Sequence, residues 1–295
     1  MQSATVTDVT ARDGLQDAGV FVPLAEKVAL IEGLAAAGLP YIEATSFTHP
    51  SRIPMLRDAD ELIPMVLDVV DRLVVLAPNR KGVERAVRAG AQRVLLVASA
   101  SEGHSRANLN HSREEAMRIA KDAAAFAGEQ GMATRGGISV AFECPFDGIV
   151  PTGNVVEAAE MYLAAGVEVI NLADTLGTAT PQLVKERIRA VRGAIGPTVP
   201  LGLHLHDRNG CGLANVAAAI EEGVTHFESA LGSLGGCPYA PGAAGNLDTE
   251  TLLRFLEVQG IATGVDLDLL PRLRESVLSA TSPTRKEAPW PDLQR

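Results

Sequence analysis

The feature that most constrains the fold is a rhythm: short β-branched runs alternate with Ala-, Leu- and Glu-rich stretches from one end of the chain to the other. Parallel neighbours in a sheet need a long crossover, normally a helix, so this alternation specifies βα units and a parallel sheet. The runs expected as strands are Thr5–Thr10, Tyr41–Ser46, Arg72–Ala77, Arg93–Ala98, Ile138–Phe142, Glu168–Leu172, Leu201–His206 and Thr225–Ala230. That is about eight, the number that closes a TIM barrel. Helices are expected at Leu24–Ala37, Val83–Ala89, Arg113–Glu129, Asn154–Ala165, Gln182–Gly193 and Leu213–Glu222. Several end in Ala-Gly or Glu-Gly just ahead of a strand, at Gly38, Gly90, Gly166 and Gly223, where a left-handed cap turns the chain back into the sheet. The fold class read from this pattern is α/β, a TIM (β/α)8 barrel over 1–247 with a helical C-terminal extension over 248–295 packed on it. The segment from Ser282 to Pro291, rich in proline and charge, is expected to fray.

Composition narrows the function classes. An apolar fraction of 46% over 295 residues supports a large core, yet no apolar stretch approaches the roughly 18 residues that suggest a membrane span. The N-terminus has no basic-then-apolar signal pattern. With 26 basic against 36 acidic residues the formal charge is -10, which argues against a dominant nucleic-acid surface, since phosphate binding needs a concentrated positive field. An anionic ligand would need local basic groups. Three cysteines with no close pair do not make a disulfide framework and fit a reducing cytoplasm.

In a TIM barrel the chemistry sits at the C-terminal ends of the strands and in the loops after them. His204 and His206 lie two residues apart at the end of an apolar run, so on a strand they face the same side, as a pair of metal ligands must. An isolated H-x-H is also what two hydrogen-bonded barrel-lining histidines look like. The other strand ends decide between the two. The first runs into Arg12-Asp13-Gly14-Leu15-Gln16, the second ends at Glu43-Ala44-Thr45-Ser46-Phe47, and the sixth ends at Asp174-Thr175. Taken singly, Arg12 and Asp13 make an ordinary ion pair, and Glu43 a capping acid. Asp174 reads equally as the cap of the next helix and as a site residue. As a set, Asp13 and the two histidines with an amide oxygen would make an N₂O₂ shell, which suits Mg²⁺ or Mn²⁺ at least as well as Zn²⁺.

After the eighth strand, Gly232 to Gly245 is too long and glycine-dense for a plain turn. It lacks the ending of a phosphate-binding P-loop and does not fit a dinucleotide fingerprint. Long loops in compact domains are commonly lids. Cys237 sits within this one, after two glycines and before Pro238. A lone cysteine is usually a buried, inert thiol, but one carried on a lid can reach a substrate.

These residues, together with Ala77-Pro78-Asn79, Cys144-Pro145, Leu213-Ala214-Asn215 and above all Gly235-Gly236-Cys237-Pro238-Tyr239-Ala240 with Gly245-Asn246, closely resemble the 3-hydroxy-3-methylglutaryl-CoA lyase family of metal-dependent barrel enzymes. The resemblance covers nearly the whole chain. It implies that Asp13, His204, His206 and Asn246 bind a divalent cation, Mg²⁺ or Mn²⁺, and that the substrate is an acyl-CoA thioester cleaved to acetyl-CoA. It further implies that Arg12 stabilises the thioester enolate, that Glu43 positions the substrate or a metal-bound water, that Cys237 takes part in proton transfer, and that His204 serves the chemistry as well as the metal. A homo-oligomer in the cytoplasm, without nucleic-acid or membrane partners, is expected. The general base stays open. CoA phosphates are expected near Arg80 and Lys81. Where the family commonly places a small polar residue and a tyrosine, this chain reads Arg208-Asn209-Gly210-Cys211, so an arginine near the acyl pocket is expected to retune acyl recognition. The alternative enzyme class is a Claisen-condensing synthase of the isopropylmalate or homocitrate type, against which the Gly-Gly-Cys-Pro-Tyr loop stands.

Overall fold

The computed structural model describes residues 2–236 and 244–283. Eight parallel strands close a barrel: Thr5–Asp8, Tyr41–Ser46, Leu73–Leu76, Arg93–Ser99, Ala133–Ser139, Val169–Asp174, Leu201–Leu205 and His226–Ser229. Closure is made by the first strand lying between the second and the eighth, with Thr5 opposite His226 and Asp8 opposite Ser229. Sequence neighbours pair around the whole circuit, as right-handed βα crossovers require. The outer helices include Leu24–Ala36, Arg80–Ala89, Arg113–Glu129, Thr152–Ala164, Pro181–Ile195 and Gly212–Glu221. The expected glycine turns are present, with φ between 77° and 91° at Gly38, Gly90, Gly166 and Gly223, a region that penalises any Cβ.

Seven strands lie close to where their β-branched runs placed them; the fifth does not. The expected Ile138–Phe142 is only its end, and the strand is Ala133–Ser139. Its first half was hidden by Arg135 and two glycines, which lack strand propensity. Packing overrides propensity here: a Cβ on Gly136 would sit 2.5 Å from the Tyr162 ring. The strand stops where Val140 takes a φ of 48° and donates its N–H to Thr175 Oγ1 at 2.9 Å. Beyond it lies a small antiparallel ribbon, Glu143–Cys144 with Gly148–Ile149.

The first strand is also shorter than expected. It ends at Asp8, and Thr10–Gly14 form a single π-helical turn, with Asp13 and Gly14 N–H groups both donating to Val9 O. This wide turn carries Arg12 and Asp13 inward over the mouth of the barrel, and such turns recur at functional sites. After the eighth strand, Thr249–Val258 begins at Asp248, whose carboxylate accepts from the Thr251 N–H at 2.9 Å. A further helix, Leu270–Thr281, comes after it. Leu252, Leu256, Leu270, Leu273 and Val277 from these two helices belong to the same continuous core as the barrel residues. Most of the segment expected to fray lies outside the described residues. Among the described residues no helix is long and apolar enough to cross a membrane.

Candidate active site

Arg12, Asp13, Glu43, His204, His206 and Asn246, which the sequence places on separate stretches of chain, come together at the C-terminal mouth of the barrel, all buried. The two histidines end the seventh strand and point the same way, with their Nε2 atoms 3.0 Å apart. Each ring is held from behind. His204 Nδ1 faces Glu228 Oε2 at 2.9 Å, and His206 Nδ1 faces the Ala244 carbonyl at 2.6 Å. A carboxylate and a carbonyl only accept, so each Nδ1 carries the donated proton, and in the neutral ring each Nε2 keeps a lone pair. Two lone pairs at 3.0 Å repel unless a cation or a proton lies between them.

Asp13 supplies the third donor. Its Oδ2 accepts from Asn246 Nδ2 at 2.7 Å, and Oδ1 pairs with Arg12 Nη1. One ligand atom each from Asp13, His204 and His206 lie within 4.8 Å of one another. The amide of Asn246 spends its nitrogen on Asp13 and on the Leu234 carbonyl at 2.8 Å, which leaves Oδ1 buried and without a partner among the described residues. Two imidazole lone pairs, a carboxylate and an orphaned amide oxygen therefore fit a divalent cation with hard-donor preference. Gly235 makes this closeness possible: at its φ of 99° a Cβ would lie 2.3 Å from Asn246 Nδ2 and 2.7 Å from Asp13 Oδ2.

Arg12 bridges Asp13 and Glu43, donating from Nη2 to Glu43 Oε2 at 2.8 Å. Burial opposes its charge, but Glu43 and Asp13 outweigh that and raise its pKa, so it stays a fixed cation. Burial likewise works against the Asp13 carboxylate, yet Arg12 and the two histidines hold its pKa down to about 2. Glu43 is pushed up, mainly by burial and in part by Glu228. Glu43 Oε1 and Arg12 Nε are buried without partners among the described residues. Below them Arg135 reaches from the fifth strand to Thr7 Oγ1 at 3.0 Å and lies over the Tyr41 ring.

The site opens into a cavity of about 400 Å³, whose wall includes Arg12, Asp13, Thr175, His204 and Glu228. Asp174, which read two ways from sequence, is shown as a cap of the turn: its carboxylate accepts N–H groups of Gly177, Thr178 and Ala179 at 3.0–3.2 Å, and Thr180 caps the next helix. Burial still raises its pKa to about 6. Arg80 and Lys81 open the helix beside the cavity. Arg80 is committed to Glu84, Asp122 and the Phe126 ring, while its neighbour Asn79 lines the wall. Arg208, expected near the acyl pocket, is exposed and absent from that wall, and its backbone N–H donates to the Gly177 carbonyl at 3.2 Å. Cys237 lies outside the described residues, although Gly236 before it lines the cavity. Cys144 is buried under the Ser101 hydroxyl at 2.9 Å. Wall residues not singled out from sequence include His49, Arg52, His104, Gly137 and Glu228; only the fold brings them here.

A closed (β/α)8 barrel with a buried His-His-Asp cluster and an adjacent fixed arginine at its mouth defines the class: a TIM-barrel enzyme built around a candidate divalent-metal centre. The chain belongs to the HMGL-like family, whose model matches residues 4–277. It is 38% identical over 274 residues to the hydroxymethylglutaryl-CoA lyase YngG of Bacillus subtilis, covering 91% of this chain and 90% of that protein. It is 37% identical over 281 residues to an (R)-citramalyl-CoA lyase of Chloroflexus aurantiacus, covering 92% and 88%. Among solved structures, an HMG-CoA lyase from Acinetobacter baumannii in complex with coenzyme A and 3-methylmalate superposes with a TM-score of 0.89 at 39% identity, covering 95% of this chain and 91% of that one.

Proposed function

We propose that this chain is a divalent-metal-dependent carbon–carbon lyase that cleaves 3-hydroxy-3-methylglutaryl-CoA, or a close 3-hydroxy-3-alkylglutaryl-CoA, to acetyl-CoA and a 3-oxo acid, acetoacetate for the methyl substrate. The observation that carries this reading is the paired Nε2 lone pairs of His204 and His206 beside Asp13 and the orphaned Asn246 Oδ1, next to a buried arginine. Relatives named for cleavage of two different acyl-CoA thioesters support the reaction class more strongly than any one acyl chain.

Cleavage of the C2–C3 bond removes the proton of the C3 hydroxyl, leaves a C3 carbonyl, and sends the electron pair into a thioester enolate that takes up a proton at C2. A cation held by Asp13, His204, His206 and Asn246, Mg²⁺ or Mn²⁺ on this donor set, would supply the Lewis acidity that makes such a hydroxyl acidic near neutral pH. Arg12 serves the other end. Its guanidinium, fixed by Glu43 and Asp13, offers a preorganised positive charge to the thioester oxygen where negative charge develops. Glu43 holds Arg12 and has Oε1 unpaired among the described residues to orient substrate. Cys237, which follows Gly236 in the chain, is assigned the proton delivered to C2, the task of a general acid. Arg52 and His49 at the cavity wall offer positive and polar groups to the anionic CoA portion, along with Lys81 nearby. Incubation with Mg²⁺ or Mn²⁺ and a panel of 3-hydroxy-3-alkylglutaryl-CoA thioesters should release acetyl-CoA, and chelation should abolish the release. Absence of acetyl-CoA from the whole panel under both metals would overturn the assignment.

A further inference from the structure

Two adjacent glycines in the fifth strand are there for different reasons. Gly136 faces the helix layer, where the Tyr162 ring leaves no room for a Cβ. Gly137 faces the other way and lines the cavity. A Cβ at Gly137 would meet Leu95 and Val97 at 3.4 Å, an ordinary contact. Packing therefore does not require glycine at 137, and a strand-interior glycine weakens a sheet unless something approaches its backbone. Its effect here is to leave the cavity wall open.

Beside that opening lies His104. Val97 and Ser99 of the fourth strand stand opposite Gly137 and Ser139, and His104 Nδ1 lies 3.1 Å from Ser99 Oγ. The Ser99 hydroxyl donates to the Ser101 carbonyl at 3.1 Å and accepts from the Ser101 N–H at 3.2 Å. With its one proton assigned to that carbonyl, Ser99 accepts from His104, the arrangement that places the imidazole proton on Nδ1 and a lone pair on Nε2. Nε2 is buried and has no partner among the described residues. Burial also pulls the pKa of this histidine down to about 4, so the ring is neutral at physiological pH. A neutral ring with a lone pair on its unpaired nitrogen repels a carboxylate and is satisfied by a hydroxyl.

We propose that His104 and the open space over Gly137 form a subsite for the C3 branch of the acyl chain, and that it takes a branch larger than methyl ending in a hydrogen-bond donor such as a hydroxyl. This rests on the CoA-lyase reading above and narrows its substrate class. The bond broken is unchanged, and the branch hydroxyl leaves with the 3-oxo acid.

The test compares kcat/KM of the Mg²⁺-loaded protein on three 3-hydroxyglutaryl-CoA thioesters that carry methyl, ethyl or hydroxymethyl at C3. Ethyl against methyl reports the space, and hydroxymethyl against ethyl reports the donor at nearly constant size. A preference for hydroxymethyl over ethyl of at least about tenfold is expected, because a site built to pair a hydroxyl discriminates strongly against an analogue that lacks it. His104→Phe should bring that ratio to about one, and Gly137→Val should penalise ethyl and hydroxymethyl relative to methyl. Hydroxymethyl cleaved no better than ethyl, or a preference that survives in His104→Phe, would overturn the subsite. If no thioester is cleaved, the lyase reading fails by itself. The subsite is then decided by the ¹⁵N resonance of His104 Nε2 on addition of the hydroxymethyl thioester, a shift supporting it and an unmoved resonance overturning it. The same resonance decides if His104→Phe does not fold.

Discussion

At the scale of single residues, this site is governed by groups that never touch the cation they would serve. Glu228 holds His204 by Nδ1 and is itself held by Asn171. Glu228→Gln should therefore weaken Mn²⁺ binding by about 10- to 100-fold, the usual range for losing an outer partner of a metal-ligating histidine. Titration calorimetry with the folded variant reads this directly, and unchanged affinity would remove Glu228 from the role. Asp8 is a second buried carboxylate, below the site. Burial raises its pKa to about 6 against hydrogen bonds from Thr10 and Thr249. Because the folded value lies above the unfolded one, the native state binds the extra proton between them. The stability contributed by Asp8 is thus complete below about pH 4 and lost as pH rises through about 6. Asp8→Asn should remove that part of the slope when urea midpoints are compared across this window, and identical slopes for both proteins would contradict it.

At the scale of elements, the decisive pieces are the π-helical turn after the first strand and the glycine-rich passage after the eighth. The turn brings Asp13 inward; the passage lays Leu234 and Gly235 directly on it. Gly235→Ala should force the Asp13–Asn246 contact apart, because both the backbone angle and the 2.3 Å approach exclude a methyl group. The expected result is weaker Mn²⁺ binding with an unaltered far-UV circular dichroism spectrum, and full affinity would show that the passage can shift without cost. Cys237 belongs to the same passage. Cys237→Ser should leave Mn²⁺ affinity intact while turnover falls by on the order of 10²-fold, the scale for losing a general acid. Full turnover in the serine variant would move the proton transfer elsewhere.

At the scale of the whole molecule, barrel and C-terminal helices share one core, since Leu270, Leu273 and Val277 are fully buried within the barrel's own apolar cluster. Leu273→Ala should cost about 2–5 kcal/mol, as for other buried leucines, and should shift a single cooperative unfolding transition. Two separated transitions in calorimetry would instead mark the C-terminal helices as an independent unit.

Alternating local patterns by themselves determined the barrel, because strand and helix periodicity and glycine-capped turns are properties of neighbours in the chain. Knowing the barrel, the positions just after strands could be read as one candidate site holding Arg12, Asp13, Glu43, His204 and His206, whereas Asn246 came only with the resemblance to the lyase family. The fifth strand was not legible in the chain itself, since its glycines answer to Tyr162 packed from another element. Nor was the role of Asp174, which depends on three N–H groups converging on it. Only the tertiary structure decided which nitrogen of each histidine faces inward, through Glu228 on the neighbouring strand and the Ala244 carbonyl. It alone brought His104 and Gly137 to the same cavity wall. The physical reason is the same in each case: propensity is fixed by bonds along the chain, whereas a tautomer, a cap or an unpaired nitrogen is fixed by whatever folding places within hydrogen-bonding distance.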